Sequence, residues 1–322
     1  MGFIDLPIEV FASNVDASLG GICDLRWTPK QPDFGGPTWP FCVVSHEGGY
    51  KAGNPGNQNS ARDMASAGYF AVCVEYRLAP PAGPMVRAGP PGDPQVLSIS
   101  NGRTPMQTND SLAAVLAARA DPRCNGQVVW LGGSSGGGHG LWVNFAGVIG
   151  TSRPDALVCL SGIYDLDDVT SNTDPGTSEF GSRNPTYRDN IGNYVGADYG
   201  SPPFDAAAVA GSPYWLSNFT AAQSAPILFI ASSTDTIPPN QFNKLAAKLT
   251  ANSIPFESIW RDVGDPNGYD PATHGFMYWN DPTTLGGTFP IVKDYVLDFF
   301  NRALTHVTPP PPPGVPTLIR IR

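Results

Sequence analysis

Val128-Val129-Trp130-Leu131-Gly132-Gly133-Ser134-Ser135-Gly136-Gly137-Gly138 is an apolar run of strand type that ends in glycines wrapped around two serines, with a helix of small residues predicted beyond it. This is the layout of a nucleophile elbow: a serine on a tight strand-to-helix turn, its hydroxyl lifted clear of the sheet. Glycine is needed two places before and two after that serine, because a Cβ at either point would collide with the neighbouring strand or helix. N–H groups at the start of the following helix then face the place where an oxyanion would form. Gly-x-Ser-x-Gly fits twice, as Gly132 to Gly136 around Ser134 and as Gly133 to Gly137 around Ser135. The first register is preferred. It leaves Leu131 as the last buried strand position, whereas the second ends the strand on Gly132, which buries nothing. A phosphate loop of the Gly-x-x-x-x-Gly-Lys-Ser/Thr kind needs a lysine, and none is present in this stretch.

Outward from the elbow, strand and helix patterns alternate. Residues 7–12 and 21–28 read as a strand pair, 29–40 as a turn-rich loop, and Phe41-Cys42-Val43-Val44-Ser45 as a strand buried on both faces. A helix is predicted over 58–68, a strand over 69–76, a Pro- and Gly-rich surface loop over 81–104, and a helix over 110–120 capped by Asn109 or Asp110. After the elbow come strands at 156–161, 225–231 and 256–260, and helices at 240–251 and 289–304. Such alternation predicts an α/β fold with a mostly parallel central sheet and helices on both faces. About fifty residues, 165–217, have no strong period but many aromatics, among them Phe180, Tyr187, Tyr194, Tyr199, Phe204, Tyr214 and Trp215; an irregular segment of that length predicts a cap-like insertion rather than a plain connector. The α/β domain is assigned to 1–306 and a proline-rich linker or tail to 307–322, where five consecutive prolines, 309–313, form a stiff spacer toward a possible C-terminal module.

Composition narrows the function. With 322 residues and 41% hydrophobic content the chain buries a sizeable core, and 28 acidic against 19 basic residues without a basic block argue against nucleic acid as a partner. No apolar run is long enough for a membrane span, and the N-terminus has no basic n-region or long apolar core of a signal peptide. Cys23, Cys42, Cys73, Cys124 and Cys159 are widely spaced, most in apolar runs, so buried free thiols are expected and no metal site or other cofactor is.

A serine hydroxyl attacks an acyl carbon only with a base beside it, and the base needs an orienting acid. The histidines are His46, His139, His274 and His306. His274 follows the last predicted strand, as the order Ser, Asp, His requires. His306 ends the terminal helix, facing solvent; His139 packs inside the helix after the elbow; His46 anchors its own loop. For the acid, Asp235 follows the strand at 225–231 and sits where an aspartate at the carboxyl end of a parallel strand reaches such a histidine. Asp262, Asp265 and Asp270 are rivals in a Gly- and Pro-rich loop. Gly48 and Gly49 turn their N–H groups inward without steric penalty, and the N–H of Ser135 completes an oxyanion hole.

Together, His46-Glu47-Gly48-Gly49, Tyr76-Arg77-Leu78-Ala79-Pro80, Gly132 to Gly137, Asp235 and His274-Gly275-Phe276 resemble the α/β-hydrolase esterases of the hormone-sensitive-lipase type and their near relatives, the BD-FAE-like carboxylesterases. The resemblance covers about residues 20 to 304. It implies an α/β-hydrolase fold and a carboxylic ester hydrolase with Ser134 as nucleophile, His274 as base, Asp235 as acid, and Gly48, Gly49 and Ser135 as oxyanion donors. The family's usual His-Gly-Gly-Gly here carries Glu47 at its second position, an acid beside the oxyanion loop, and Pro81 opens a long loop where a short connection is usual. Ser161-Gly162-Ile163-Tyr164-Asp165-Leu166 is similar to the branch that includes kynurenine formamidases, so an amide or formamide hydrolase is the alternative, and a non-catalytic binding protein on the same scaffold a more distant one. The expected substrate is a small-molecule or polymer-linked ester, with aromatic, feruloyl, acetyl-polysaccharide and polyester groups as candidates. The proline tail points to an extracellular or periplasmic enzyme.

Overall fold

The computed structural model describes residues 2–13, 24–53, 55, 59–80, 85–86, 96–97, 102–166, 185–197, 202–216, 219–232, 235–261, 274–280 and 291–305. The proline-rich tail, His306, Cys23, Phe180, Tyr199, the rival acids Asp262, Asp265 and Asp270, and most of the loop at 81–104 lie outside the described residues.

Nine strands of the described residues form one sheet: β1 (Phe3–Asp5), β2 (Glu9–Ala12), β3 (Leu25–Pro32), β4 (Trp39–Ser45), β5 (Phe70–Val74), β6 (Cys124–Gly133), β7 (Ala156–Leu160), β8 (Ile227–Ser232) and β9 (Glu257–Arg261). Their order is β1-β3-β5-β4-β6-β7-β8-β9, with β2 also paired to β3. From β5 to β9 every pairing is parallel, and the β3 ladders are antiparallel. A two-residue ladder, Met85–Val86 with Val96–Leu97, stands apart from it.

Strand periodicity sorts side chains onto two helical layers. Phe41, Val43, Phe70, Val72, Trp130, Leu157 and Phe229 face one core with α2 (Met106–Ala120), α3 (Ser135–Ala146) and α6 (Pro239–Ala251). Cys42, Val44, Ala71, Cys73, Leu131, Val158 and Ile230 face the other with α1 (Asn59–Ser66) and α7 (Val292–Thr305). The parallel strands therefore read as unbroken apolar runs, and each large side chain fully buried there contributes about 1.5–3 kcal/mol. Cys42 and Cys159 are buried free thiols, Cys124 is a half-buried one, and Cys73 is buried. No helix of the described residues is long and apolar enough to cross a membrane.

Two expectations are corrected. Half of the span 29–40, expected to be loop, is strand: β3 runs to Pro32 and β4 starts at Trp39, so the loop is confined to 33–38. Pro29 fits because its carbonyl accepts the Leu6 N–H, which lies between the ends of β1 and β2, so the missing proline N–H faces a gap in the ladder. The helix expected at 110 begins at Met106, and Asp110 is no cap. Buried inside α2, its carboxylate receives Arg77 through Nη2 at 2.7 Å, Nε at 3.0 Å and the backbone N–H at 2.9 Å. A cap and a buried ion-pair partner look alike in sequence; the Tyr76-Arg77 segment decides between them.

The topology sets the place of the site. From β4 the chain passes through α1 to β5 on one side, then returns through α2 to β6 on the other. Crossover direction reverses between β4 and β6, leaving a crevice beyond their carboxyl ends. His46-Glu47-Gly48-Gly49 leaves β4 at that point, and Ser134 leaves β6.

Candidate active site

Ser134 stands between β6 and α3 with φ 50° and ψ −120°. A non-glycine residue held there costs about 1–3 kcal/mol, so the surrounding packing must enforce it. That packing is visible in the glycines. A Cβ on Gly132 would lie 2.2 Å from the Gly136 carbonyl oxygen, and one on Gly136 would lie 2.5 Å from the Ser45 carbonyl oxygen. The alternative pair, Gly133 and Gly137, has more room, with nearest atoms at 2.9 and 3.1 Å. Trp130 Nε1 donates to the Gly136 carbonyl at 3.0 Å and braces the first turn of α3.

The two serines differ in what holds them. Tyr76 donates its hydroxyl to the His46 carbonyl at 3.0 Å, and Ser135 Oγ hydrogen-bonds the same Tyr76 oxygen at 3.1 Å. Ser134 Oγ is buried and has no hydrogen-bond partner among the described residues. Of the two, only the Ser134 hydroxyl is left uncommitted.

Asp235 and His274 are brought together from β8 and from the segment after β9. His274 Nδ1 lies 2.7 Å from Asp235 Oδ1, which also accepts the Ile237 N–H at 2.8 Å. Asp235 Oδ2 accepts Tyr278 Oη–H at 2.6 Å and Ser161 Oγ–H, and Ser161 Oγ in turn accepts the Gly275 N–H at 3.0 Å. Burial alone would raise the Asp235 pKa, yet the His274 bond and charge, the Ile237 N–H and the Ser161 hydroxyl together bring it below the ordinary aspartate value. Phe276 packs its ring where a Cβ on Gly133 would be, 2.9 Å away, so the residue before Ser134 abuts the histidine segment. The residues supporting Asp235 escaped the sequence reading. Ser161 was visible only as part of the Ser161–Leu166 motif, and Tyr278 carried no signal at all.

Gly48, at φ 133°, and Gly49, at φ 57°, shape the facing loop. A Cβ on Gly49 would meet Asn190 Nδ2 at 2.4 Å, and one on Gly48 the Ala52 carbonyl oxygen at 2.0 Å. Among the described residues no acceptor meets the N–H groups of Gly48, Gly49 or Ser135. The loop is held from outside: Gln107 Nε2 donates to the Tyr50 carbonyl at 2.7 Å, and the Tyr50 ring stacks at 4.1 Å on Tyr194 of α4 (Pro185–Val195). Tyr194, Ile191, Val195 and Ala208 of α5 (Pro202–Gly211) join Tyr50, Ala79 and Ile163 in a third apolar cluster over this corner.

His46 and His139 pack rather than converge on Ser134. His46 stacks on Tyr76 at 4.1 Å and holds the Glu47 carbonyl through Nδ1 at 2.8 Å; His139 lies edge-on to Tyr50, Tyr76 and Tyr194. Burial pushes His46 down to about 4 and His139 to about 3, the latter with help from the nearby His46. Both folded values lie below the unfolded value of about 6.5, so the unfolded chain takes up these protons first. Stability is full above about pH 6.5 and falls as pH drops toward 4, at about 1.4 kcal/mol per pH unit for each histidine. His139→Phe keeps an aromatic ring and loses no hydrogen bond among the described residues. It is expected to remove about half of that slope in urea unfolding between pH 6.5 and 4; an unchanged slope refutes a neutral, buried His139.

No protein-family model matches the chain, and neither does any curated protein. Solved structures do. The propionate-bound esterase Est2 of Thermogutta terrifontis, a Planctomycetes species, is 17% identical over 95% of this chain and 96% of its own, with a TM-score of 0.60. The same esterase phosphonylated by sarin is 17% identical over 94% and 96%, with a TM-score of 0.62. A hyperthermophilic esterase from the archaeon Pyrobaculum calidifontis is 20% identical over 94% and 84%, with a TM-score of 0.59. With the strand order above, this likeness shows that the chain has the α/β-hydrolase fold.

Proposed function

We propose that this protein is a serine hydrolase of carboxylic esters. Ser134 Oγ attacks the acyl carbon while His274 Nε2 takes its proton, and Asp235 holds the Nδ1–H tautomer and balances the imidazolium. Charge on the tetrahedral oxygen is met by the N–H groups of Gly48, Gly49 and Ser135, each such donor being worth about 3 to 4 kcal/mol of transition-state stabilisation. The imidazolium returns the proton to the departing alcohol, leaving an acyl-enzyme. Water, deprotonated by His274, then releases the acid and restores Ser134. The observation that carries the reading is the 2.7 Å contact between His274 Nδ1 and Asp235 Oδ1 at the sheet edge onto which the strained Ser134 turn opens. The esterase names of the structural neighbours support the same reaction class.

Within that class, the motifs from His46 to Phe276 favour the hormone-sensitive-lipase type and its BD-FAE-like relatives. The cap-like segment at 165–217 is assigned to covering the acyl pocket, as part of a catalytic domain at 1–306. A fluorophosphonate probe followed by peptide mass spectrometry tests the proposal: one adduct is expected, on the peptide containing Ser134. Absence of any adduct on the folded protein sinks it in favour of a binding protein. A parallel screen across acyl length, feruloyl esters, acetylated xylan and N-formyl amides defines the substrate. The amides belong in it because Ser161-Gly162-Ile163-Tyr164-Asp165-Leu166 is similar to the formamidase branch, and an amide that outruns every ester would move the substrate class but not the nucleophile.

A further inference from the structure

Glu47 stands where the resembling esterases carry glycine, and its side chain does not point away from the chemistry. Its Oε2 sits 1.9 Å from where a Cβ on Gly275 would be and 3.4 Å from one on Gly133. The carboxyl therefore lies between the residue before Ser134 and the residue after His274. The nearby backbone N–H of Phe276 favours its charged form, and Oε2 is buried without a hydrogen-bond partner among the described residues. Gly275 has φ 57°, so it is glycine for two reasons: the backbone angle and the space that Glu47 fills.

Among the described residues, the charged and titratable groups that act on this carboxyl are His274 and Asp235, and it acts in turn on the Tyr76 phenol. Burial raises the Glu47 pKa, the His274 charge and the Phe276 N–H pull it back, and Asp235 raises it further. His274 thus has Asp235 on its Nδ1 and a second carboxyl against the backbone that follows it. Charge interactions in such a poorly solvated corner are several times stronger than in water. Glu47 also belongs to the loop that bears Gly48 and Gly49, so one side chain ties the oxyanion donors to the histidine segment.

Building on the serine-hydrolase reading, we propose that Glu47 is a positioning residue: its carboxylate clamps His274-Gly275-Phe276 to the oxyanion loop and shares with Asp235 the balancing of the proton that His274 carries during acyl transfer. Glu47→Gln keeps the size and the polar oxygen but removes the charge. Without that charge the imidazolium is harder to form. The acid limb of the kcat/KM profile on a p-nitrophenyl ester is therefore expected to move to lower pH by roughly one unit. kcat should fall about tenfold with KM little changed. Glu47→Asp keeps the charge on a shorter arm; its acid limb should stay in the parental position while kcat falls. A filler side chain would change melting temperature alone. Profiles and rates of both variants superimposable on the parent overturn the proposal, and should E47Q not fold, an E47D enzyme with parental kcat and profile does so by itself. A parent chain that neither hydrolyses esters nor takes the fluorophosphonate overturns the underlying reading instead, so the two failures are distinguishable.

Discussion

Ser134→Ala abolishes covalent labelling by a fluorophosphonate and lowers ester hydrolysis by about 10⁴-fold or more, while the protein stays folded. The expectation follows from how the two adjacent hydroxyls are used. Ser135 Oγ is committed to Tyr76 and begins a helix, so it has no free path to an acyl carbon. Ser134 Oγ is the uncommitted one. Removing a buried hydroxyl that has no partner costs no hydrogen bond, so the melting temperature of S134A should equal or slightly exceed that of the parent. Ser135→Ala is expected to do the reverse. It retains the N–H assigned to the oxyanion hole and the nucleophile, and loses only the Tyr76 bond, worth about 1 kcal/mol of stability. Persistence of the adduct in S134A, mapped to Ser135, would place the nucleophile in the other register.

Asp235→Asn is expected to cost about 10⁴-fold in kcat, and here stability falls too. All the partners described for this carboxylate are donors: the Ile237 N–H, the Tyr278 and Ser161 hydroxyls, and His274 Nδ1–H. An asparagine must turn its NH₂ toward one of them, which breaks a hydrogen bond and, where that partner is His274, selects the wrong tautomer. A buried donor left unmet costs about 1–3 kcal/mol. The pH dependence separates this from a packing defect. Because the folded Asp235 value is depressed, its stabilisation is complete above the unfolded value of about 3.9 and is lost as pH falls through the lower folded value. The gap in melting temperature between parent and D235N should therefore narrow on acidification below about pH 4. A gap that stays constant with pH is incompatible with the charged, multiply bonded carboxylate described above. Equal turnover in parent and variant removes Asp235 from the mechanism.

Much of this was legible in the chain because it is local. The elbow is a five-residue motif with one clash internal to it, Gly132 against Gly136, while Gly136 itself is held to glycine by the Ser45 carbonyl of β4. The buried strands announce themselves as apolar runs because both faces of a parallel sheet are covered. Positions that depend on distant partners stayed hidden. Pro29 looked like a turn residue until the strand ends around it showed a gap for its missing N–H. Asp110 looked like a helix cap until Arg77, thirty-three positions away, was seen to occupy it. Tyr278 and Ser161 reach Asp235 from forty-three and seventy-four positions away, and nothing in their local sequence marks them as partners of that acid.

Residue types and short-range spacing by themselves determined the alternating α/β architecture, the elbow, the preference for Ser134 and the candidate pair Asp235 and His274. Tertiary structure alone decided which serine keeps its hydroxyl free, what surrounds the acid, and that Glu47 reaches the histidine segment. The physical reason is range: periodic burial and the turn inside the elbow motif are set over a few positions of chain, whereas tertiary contacts, hydrogen bonds and charges act between whatever atoms the fold brings within a few ångströms.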